Sequence, residues 1–128
     1  RYYGYDDGIY VALRLIEKLS KKNINLSEYI AEIPEYTSTP EIRIDCIDDN
    51  EKFILTEKLV SYFSQKFDCN LIDGVRINFK NGWALIRASN TQPVLVCRCE
   101  AEDEQRLNDI KEIIFNKIKY FGGDKIEF

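Results

Sequence analysis

The amino-acid sequence predicts an α+β fold: an antiparallel four-stranded sheet with two helices on one face, preceded by a helical N-terminal segment. Alternating apolar residues indicate the strands, and apolar residues at 3.6-residue spacing indicate the helices. After residue 40 the elements follow the order strand, helix, three strands, helix. This order suits an antiparallel sheet whose two helices cover the same face.

The N-terminal segment, residues 1–33, is predicted to be helical. Asp6 and Asp7 suit an N-cap and a first-turn acid, and apolar residues then recur at helical spacing. These apolar residues are Ile9, Ala12, Leu13, Ile16 and Leu19. The two aspartates could also form a catalytic carboxylate pair, but the apolar stripe that follows at once favours the cap.

Prolines define the next segment of the chain. A second short helix is predicted over residues 27–33, where Pro34 stops it. Residues 34–40 place two prolines around small hydroxyl residues and show no periodicity. They are therefore predicted to be a linker at a domain boundary.

The α+β pattern occupies residues 41–128. Its strands are predicted at residues 41–47, 75–79, 83–87 and 94–99. The first helix carries an apolar stripe consisting of Phe53, Thr56, Leu59 or Val60, Phe63 and Phe67. The second helix begins near Asp103 and ends at Gly122-Gly123. Its buried face consists of Leu107, Ile110, Ile114 and Ile118.

The sequence Lys80-Asn81-Gly82 predicts a hairpin between two of these strands. Asn-Gly tolerates the positive φ that a type I′ turn requires. Trp83, the one tryptophan of the chain, follows directly. We expect it to pack the hairpin against a helix, although it could instead stack on a sugar.

Composition and charge exclude several classes of function. The 128-residue chain is 45% hydrophobic and 31% charged, which is typical of a folded domain. Its net charge of -4 argues against non-specific nucleic-acid binding and against an anionic membrane surface as partner. No apolar run is long enough to span a membrane and no signal peptide is evident, so a cytoplasmic location is expected.

Four cysteines, Cys46, Cys69, Cys97 and Cys99, are predicted to be reduced and buried rather than joined in disulfides. Cys97 and Cys99 lie in a predicted strand, where both side chains point to the same side. A metal site at this pair is the weaker alternative. The chain has no histidine and no second cysteine pair at zinc spacing.

The chain contains no methionine and begins with Arg1, so we expect it to be a fragment of a longer protein. Histidine, the commonest general acid–base group, is also absent. The chain therefore need not contain a complete active site.

The candidate site is the loop Arg87-Ala88-Ser89-Asn90-Thr91-Gln92-Pro93, between two apolar strands. Arg87 can form a bidentate pair with an oxyanion, Ser89 and Thr91 offer hydroxyl donors, and Asn90 offers an amide. Ala88 would contribute a backbone N–H to an anion-binding nest. The surrounding segment, residues 74–99, holds four basic residues and no acid. Residue chemistry alone leaves open whether this is a phosphate site or a plain polar turn.

Several motifs, in order along the whole chain, carry a resemblance to a known family. They are Tyr5-Asp6-Asp7-Gly8-Ile9-Tyr10, Ser38-Thr39-Pro40-Glu41-Ile42, Asp73-Gly74-Val75-Arg76, Gly82-Trp83, the loop 87–93 and Glu100-Ala101. With these motifs the sequence resembles the C-terminal part of the α-D-phosphohexomutases. The bacterial phosphomannomutase/phosphoglucomutase enzymes are the group it resembles most.

The resemblance implies a domain organisation and a function. Residues 1–33 would be the end of the third domain, residues 34–40 a hinge, and residues 41–128 a fourth domain with a TATA-binding-protein-like fold. These enzymes interconvert hexose 1-phosphates and 6-phosphates through a bisphosphorylated intermediate. The fourth domain holds the phosphate that is not transferred and closes the cleft. Mg²⁺ and a hexose 1,6-bisphosphate activator would bind elsewhere in the parent enzyme. The phosphoserine, metal and principal sugar loops of the family have no counterpart here, so the fragment would hold no catalytic residue, metal or other cofactor.

Carried over residue by residue, the resemblance makes Arg87, Ser89, Asn90 and Thr91 phosphate-binding residues, with Ala88 in the same loop. Ser38 matches a hinge serine that can approach the phosphate. Gln92 stands where other members carry Glu or Thr, so its role is undetermined, and the preferred sugar (mannose, glucose or glucosamine phosphate) stays open.

The expected partners are a phosphosugar and the remaining domains of the parent chain, with no nucleic acid and no membrane. The apolar face of residues 9–19 is expected to belong against the rest of the third domain, and in the fragment it could pack on the fourth domain or on a second copy. The alternative function is a stand-alone phosphate-binding or regulatory module without catalysis.

Overall fold

The computed structural model describes residues 3–122. The chain divides into two compact units, Arg1–Glu35 and Tyr36–Phe128. We call these the N-terminal unit and the sheet unit, and describe each by itself. Their boundary falls inside the segment predicted to be a linker, residues 34–40.

The N-terminal unit contains two helices, α1 (Gly8–Lys22) and α2 (Leu26–Ile30). The Asp7 carboxylate accepts a hydrogen bond from the Tyr10 N–H at 2.9 Å, so the predicted N-cap is confirmed at Asp7. Asp6 lies before the helix, and the predicted first-turn acid is wrong, because the first turn holds no acidic residue. Asn23 ends α1 in a left-handed conformation. No residue of α1 is buried, and its predicted apolar stripe is exposed, as Ile16 at 59% illustrates.

Helix α2 differs from its predicted range of residues 27–33. Asn25 and Glu28 form a capping box that starts the helix at Leu26. The helix ends at Ile30, and the following turn is closed by a hydrogen bond from the Ile33 N–H to the Ile30 carbonyl. Pro34 disfavours the helical conformation at Ile33, so the helix does not extend to the predicted end.

The sheet unit contains the predicted antiparallel sheet and two helices, so the α+β fold is confirmed. Its elements are β1 (Thr37–Ser38), β2 (Ile42–Asp45), α3 (Asp49–Ser64), β3 (Asp68–Asn70), β4 (Val75–Phe79), β5 (Gly82–Ala88), β6 (Val94–Ala101) and α4 (Glu104–Gly122). Strands β3, β4, β5 and β6 lie side by side, and β1 and β2 both pair with the other edge of β6. The described residues thus form six strands, because two short ones join the four that were predicted.

Strand β1 corrects the prediction of an unstructured linker. Thr37 and Ser38 pair with the end of β6, and Thr39 continues the attachment. The Thr39 N–H donates to the Cys99 carbonyl at 2.9 Å, and Thr39 Oγ1 accepts from the Cys99 N–H at 3.1 Å. Threonine, whose hydroxyl can accept a backbone N–H, therefore binds the segment before Pro40 to the sheet.

Both helices cover the same face of the sheet, and the core lies between the helices and that face. The sheet contributes Ile44, Val75, Ile77, Ala84, Ile86, Leu95, Cys97, Cys99 and Ala101 to this core. The predicted buried face of α4 is confirmed. The predicted stripe of α3 is confirmed at Leu59 and Phe63, which are buried. It is wrong at its start, where Leu55 is buried and Phe53 is exposed. The predicted end of α4 at Gly123 lies outside the described residues.

The hairpin between β4 and β5 is confirmed, but its turn lies one residue earlier than predicted. Phe79 pairs with Gly82, so Lys80 and Asn81 form the two-residue connection. Of these two, Asn81 alone has a positive φ, 64°, whereas a type I′ turn needs two. Gly82 is required for space, because a Cβ there would lie 2.6 Å from both the Glu100 carbonyl oxygen and Ile110 Cδ1.

The prediction that Cys97 and Cys99 are buried on one side of their strand is confirmed. All four cysteines are free thiols, and Cys46 and Cys69 are half-buried. Burial raises the pKa of the Cys99 thiol to about 11 and raises the pKa of Cys97 further. These thiols are therefore protonated at neutral pH and poor nucleophiles. Within residues 3–122, no helix has both the length and the apolarity that a bilayer span requires.

Candidate phosphate-binding site

Arg87 lies near the end of β5, opposite Val96 of β6. Successive strand residues point to opposite faces, and Ala84 and Ile86 face the core, so Arg87 lies on the face away from the helices. It is 31% exposed, and its one ion pair with a described residue joins Nη1 to Asp73 Oδ2 at 3.5 Å. A contact of that length is weak, so the guanidinium retains donors for an anion.

Gly74 fixes the backbone of Arg87 from the neighbouring strand. It precedes β4, has a φ of +69° and lies beside Arg87 across the sheet. A Cβ at this position would lie 2.2 Å from the Ile86 carbonyl oxygen and 2.7 Å from the Arg87 Cα. Only glycine combines the left-handed backbone with so close an approach.

Ser89, Asn90 and Thr91 form the tip of the loop. The Ser89 N–H donates to the Val94 carbonyl at 2.9 Å, and the Thr91 N–H donates to Ser89 Oγ at 3.3 Å. Ser89 is buried, whereas Asn90 and Thr91 are exposed. The tip therefore holds its polar side chains on a hydrogen-bonded backbone. The Ser89 and Thr91 N–H groups already have protein acceptors, so they do not form the predicted anion-binding nest.

The second half of the loop is attached to β2 and α3. The Gln92 carbonyl accepts a hydrogen bond from Lys52 Nζ at 2.9 Å, and the Pro93 carbonyl accepts one from the Cys46 N–H at 2.8 Å. The Gln92 side-chain oxygen accepts a hydrogen bond from the Arg43 guanidinium. Gln92, whose role the sequence left undetermined, thus secures the loop through both its side chain and its backbone.

Sequence reasoning missed Lys52 because a lysine counts as a solvent-facing residue in a hydrophobic pattern. The spacing of Lys52 from the buried leucines of α3 could have identified it. Lys52 stands one helical turn before Leu55 and two before Leu59, on the buried face of α3. A lysine on a buried stripe indicates that its ammonium has a partner in the interior.

Four arginines lie on the sheet face away from the helices: Arg43, Arg76, Arg87 and Arg98. The segment 74–99 contains no acid, but folding brings carboxylates to this face from outside it. Glu41 binds Arg43 at 3.1 Å, and Asp73 approaches Arg87. The absence of acids along the sequence therefore does not make the folded face uniformly basic.

Trp83 also lies on this face, so the prediction that it packs the hairpin against a helix is wrong. Its neighbour Ala84 occupies the core position, and the alternation of the strand directs Trp83 the other way. The indole N–H donates to Glu100 Oε1 at 3.1 Å, and the Arg76 guanidinium lies 4.7 Å from the ring centroid. One ring face is thus already occupied by a cation.

The structure does not bring Ser38 to the loop. Ser38 pairs with Glu100, whereas Arg87 pairs with Val96, four residues away along β6. At about 3.3 Å per residue this separation is roughly 13 Å along the strand. Arg87, Ala88, Ser89, Asn90 and Thr91, by contrast, are contiguous and meet at one end of the sheet.

The side chains at this site are hydrogen-bond donors of the kinds that can bind an anion. The site offers the Arg87 guanidinium, the hydroxyls of Ser89 and Thr91 and the side-chain amide of Asn90. Among residues 3–122, no group of three or more His, Cys, Asp or Glu side chains is placed to hold a metal ion. The donors are therefore suited to holding and orienting a phosphate rather than to transferring protons.

Comparison with known proteins gives a consistent result. Residues 22–117, well over half of the chain, match the family described as phosphoglucomutase/phosphomannomutase, C-terminal domain. A phosphomannomutase/phosphoglucomutase of Pseudomonas putida is 44% identical over 88% of this chain and 24% of its own length. A phosphoglucosamine mutase of Methanocaldococcus jannaschii is 37% identical over 88% of this chain and 25% of its own.

A solved structure shares the fold along nearly the whole chain. The crystal structure of a phosphoglucomutase/phosphomannomutase family protein from Burkholderia thailandensis aligns with a TM-score of 0.81 at 31% identity. The alignment covers 99% of this chain and 27% of that protein. This chain therefore spans about a quarter of the length of the relatives it matches.

Proposed function

The chain belongs to the phosphoglucomutase/phosphomannomutase family as a C-terminal domain, and from this premise we propose that its loop 87–93 anchors the phosphate group of a phosphosugar. One observation carries the proposal. The backbone that carries Arg87 and the donors of residues 89–91 is fixed at two points. Gly74 packs against it at Arg87, and Lys52 binds it at Gln92.

The proposed role is that of an anchor in a larger mutase. The parent protein would interconvert hexose 1-phosphates and 6-phosphates through a bisphosphorylated intermediate. Such a substrate binds in two orientations, so it needs one fixed site for whichever phosphate is not being transferred. A rigid loop of this kind lowers the barrier by fixing geometry, and the domain would close the cleft over the sugar.

The division of labour agrees with the chemistry of the residues present. Positioning requires charge-assisted hydrogen bonds, which Arg87 and its neighbours supply. Transfer would require a phosphorylated nucleophile and a metal ion. We propose that these groups belong to other parts of the parent protein, and that the isolated chain does not catalyse the mutase reaction.

Phosphate titration of the isotope-labelled 128-residue chain, followed by NMR, tests the anchor. Sodium phosphate replaces sodium chloride at constant ionic strength, so general charge screening does not change. We expect the amide resonances of residues 87–92 to shift in a saturable way. Arg87→Ala should weaken phosphate binding by about tenfold or more, because it removes a hydrogen-bonding cation from the site.

Arg14→Ala is the matched control, because it removes the same charge from the N-terminal unit. Arg14 lies on α1 in an exposed ion pair with Glu17. Phosphate affinity should not change in this variant. If the resonances of residues 87–92 stay in place while the spectrum shows a folded protein, the anchor assignment is wrong. Turnover of glucose 1-phosphate by the isolated chain would contradict the purely anchoring role.

A further inference from the structure

Lys52 is the one charged side chain that is buried among the described residues, at 2% exposure. Moving an ammonium group out of water is unfavourable by several kcal/mol unless it finds partners. Lys52 Nζ has two polar partners, the Asp49 carboxylate at 2.6 Å and the Gln92 carbonyl at 2.9 Å, and it also lies 5.0 Å from the centroid of the exposed Phe53 ring. Its position therefore calls for an explanation beyond the folding of α3.

The ion pair with Asp49 does not explain the burial. Asp49 is 72% exposed and lies three residues before Lys52 on the same helix. Pairs at this spacing form readily at a helix surface, where both groups keep their water. The partner that requires Lys52 to point inward is the Gln92 carbonyl, 40 residues along the chain.

That carbonyl belongs to a continuous set of hydrogen bonds through the loop. The Gln92 carbonyl also accepts the Val94 N–H at 2.8 Å, and the Val94 carbonyl accepts the Ser89 N–H at 2.9 Å. Ser89 Oγ in turn accepts the Thr91 N–H at 3.3 Å. Lys52 thus connects through one carbonyl to two of the proposed phosphate donors, Ser89 and Thr91.

We propose that Lys52 is a positioning residue for phosphate: its buried ammonium holds the Gln92 carbonyl and so keeps the loop in the conformation that accepts the anion. This inference rests on the proposed phosphate-anchoring function. A loop fixed before the ligand arrives loses less conformational entropy on binding, so its affinity is higher.

Lys52→Met tests the proposal, because methionine keeps an unbranched apolar stem and removes the ammonium. We expect phosphate to bind about tenfold more weakly than to the unchanged chain. In the absence of phosphate, the amide resonances of Ser89, Thr91 and Val94 should shift or broaden, because the carbonyl that orders them is released. Both effects are measured in the phosphate titration described above.

Leu55→Val is the matched control, since Leu55 is buried on the same face of α3 one turn away. Removing one methylene group destabilises the fold moderately without touching the loop. Leu55→Val should retain full phosphate affinity and unchanged loop resonances. A purely structural role for Lys52 predicts the same small change in both variants, and that result would overturn the proposal.

A third measurement needs no substitution. In the unchanged chain, the ammonium resonance of Lys52 should exchange slowly with water and should shift when phosphate is added. If Lys52→Met does not fold, Lys52→Gln is compared with Leu55→Val by the same criteria, and an ammonium resonance insensitive to phosphate counts against the proposal.

The outcome also separates this inference from the proposed function. If Arg87→Ala weakens binding and Lys52→Met does not, only the role of Lys52 fails. If the unchanged chain binds no phosphate, the anchoring function fails. In that case the loop resonances of Lys52→Met still show whether Lys52 orders the loop.

Discussion

The N-terminal unit and the sheet unit place the same residue type in opposite environments. Ile16 of α1 is mostly exposed, whereas Ile114 of α4 is fully buried. Both belong to apolar stripes at helical spacing, and the sequence predicted a buried face for each. The difference is that α4 lies against a sheet formed by the same unit, while no residue of α1 is buried.

This contrast shows what hydrophobic periodicity can and cannot establish. The pattern says that one side of a helix is suited to burial, but it does not say which residues cover it. In the sheet unit the covering residues belong to neighbouring strands. For α1, the expectation that residues 9–19 pair with a second copy stays a prediction, and sedimentation of the purified chain would decide it.

The largest expected difference comes from one substitution made in both units. Ile114→Ala should lower the free energy of unfolding by about 2–5 kcal/mol, because it leaves a cavity in the core. Ile16→Ala should change it by no more than about 0.5 kcal/mol. Urea denaturation followed by circular dichroism measures both. Equal effects would mean that α1 is buried in solution, against a second copy or otherwise.

Substitution of one glycine in each unit, Gly74 and Gly8, should give the next largest difference in stability. Gly74→Ala should lower the free energy of unfolding by about 2–3 kcal/mol, because its positive φ and the contact with the Ile86 carbonyl both oppose a side chain. Gly8→Ala meets nothing within 4 Å and should raise the helicity of α1.

The same pair also bears on the phosphate site. Because Gly74 contacts Arg87, its substitution should weaken phosphate binding as well as stability. Gly8→Ala should leave phosphate binding unchanged. Full stability and full phosphate affinity in the Gly74→Ala variant would show that Gly74 does not constrain Arg87.

The sequence predicted those parts of the fold whose side chains alternate or recur over enough residues. The face of α4 is correct because four branched apolar residues repeat over three turns. The stripe of α3 is correct at Leu59 and Phe63 but wrong in its first turn, because Phe53 is large and apolar yet exposed, while Lys52 is charged yet buried. Strands β1 and β3 are two and three residues long, too short for alternation to appear. They exist because a neighbouring strand pairs with them.

The candidate site was likewise predicted only in part. The loop residues were identified because they are contiguous and share one chemistry. Their supports were not, because Lys52 and Arg43 reach Gln92 across 40 and 49 residues of chain. Ser38 was placed at the site by resemblance, whereas the pairing of β1 sets it beside Glu100. Contacts between distant residues depend on strand register, which a single sequence does not reveal.

The smallest difference comes from the helix caps. Asp48 accepts the Glu51 N–H at 2.8 Å at the start of α3, and Asp7 accepts the Tyr10 N–H at the start of α1. Asp48→Ala should lower the free energy of unfolding by about 1 kcal/mol, because α3 unfolds together with the core. Asp7→Ala should leave that free energy unchanged, because α1 buries no residue.

Hydrogen exchange shows which amides lose protection in the Asp7→Ala variant. The amide of Tyr10 should lose protection in Asp7→Ala, while the amides of α4 keep theirs, because an exposed helix can fray without opening the core. If Asp7→Ala instead lowers protection throughout α4, the two helices unfold as one cooperative unit. The exposed stripe of α1 would then contribute to the stability of the sheet unit, and the contrast between the two units would not hold in solution.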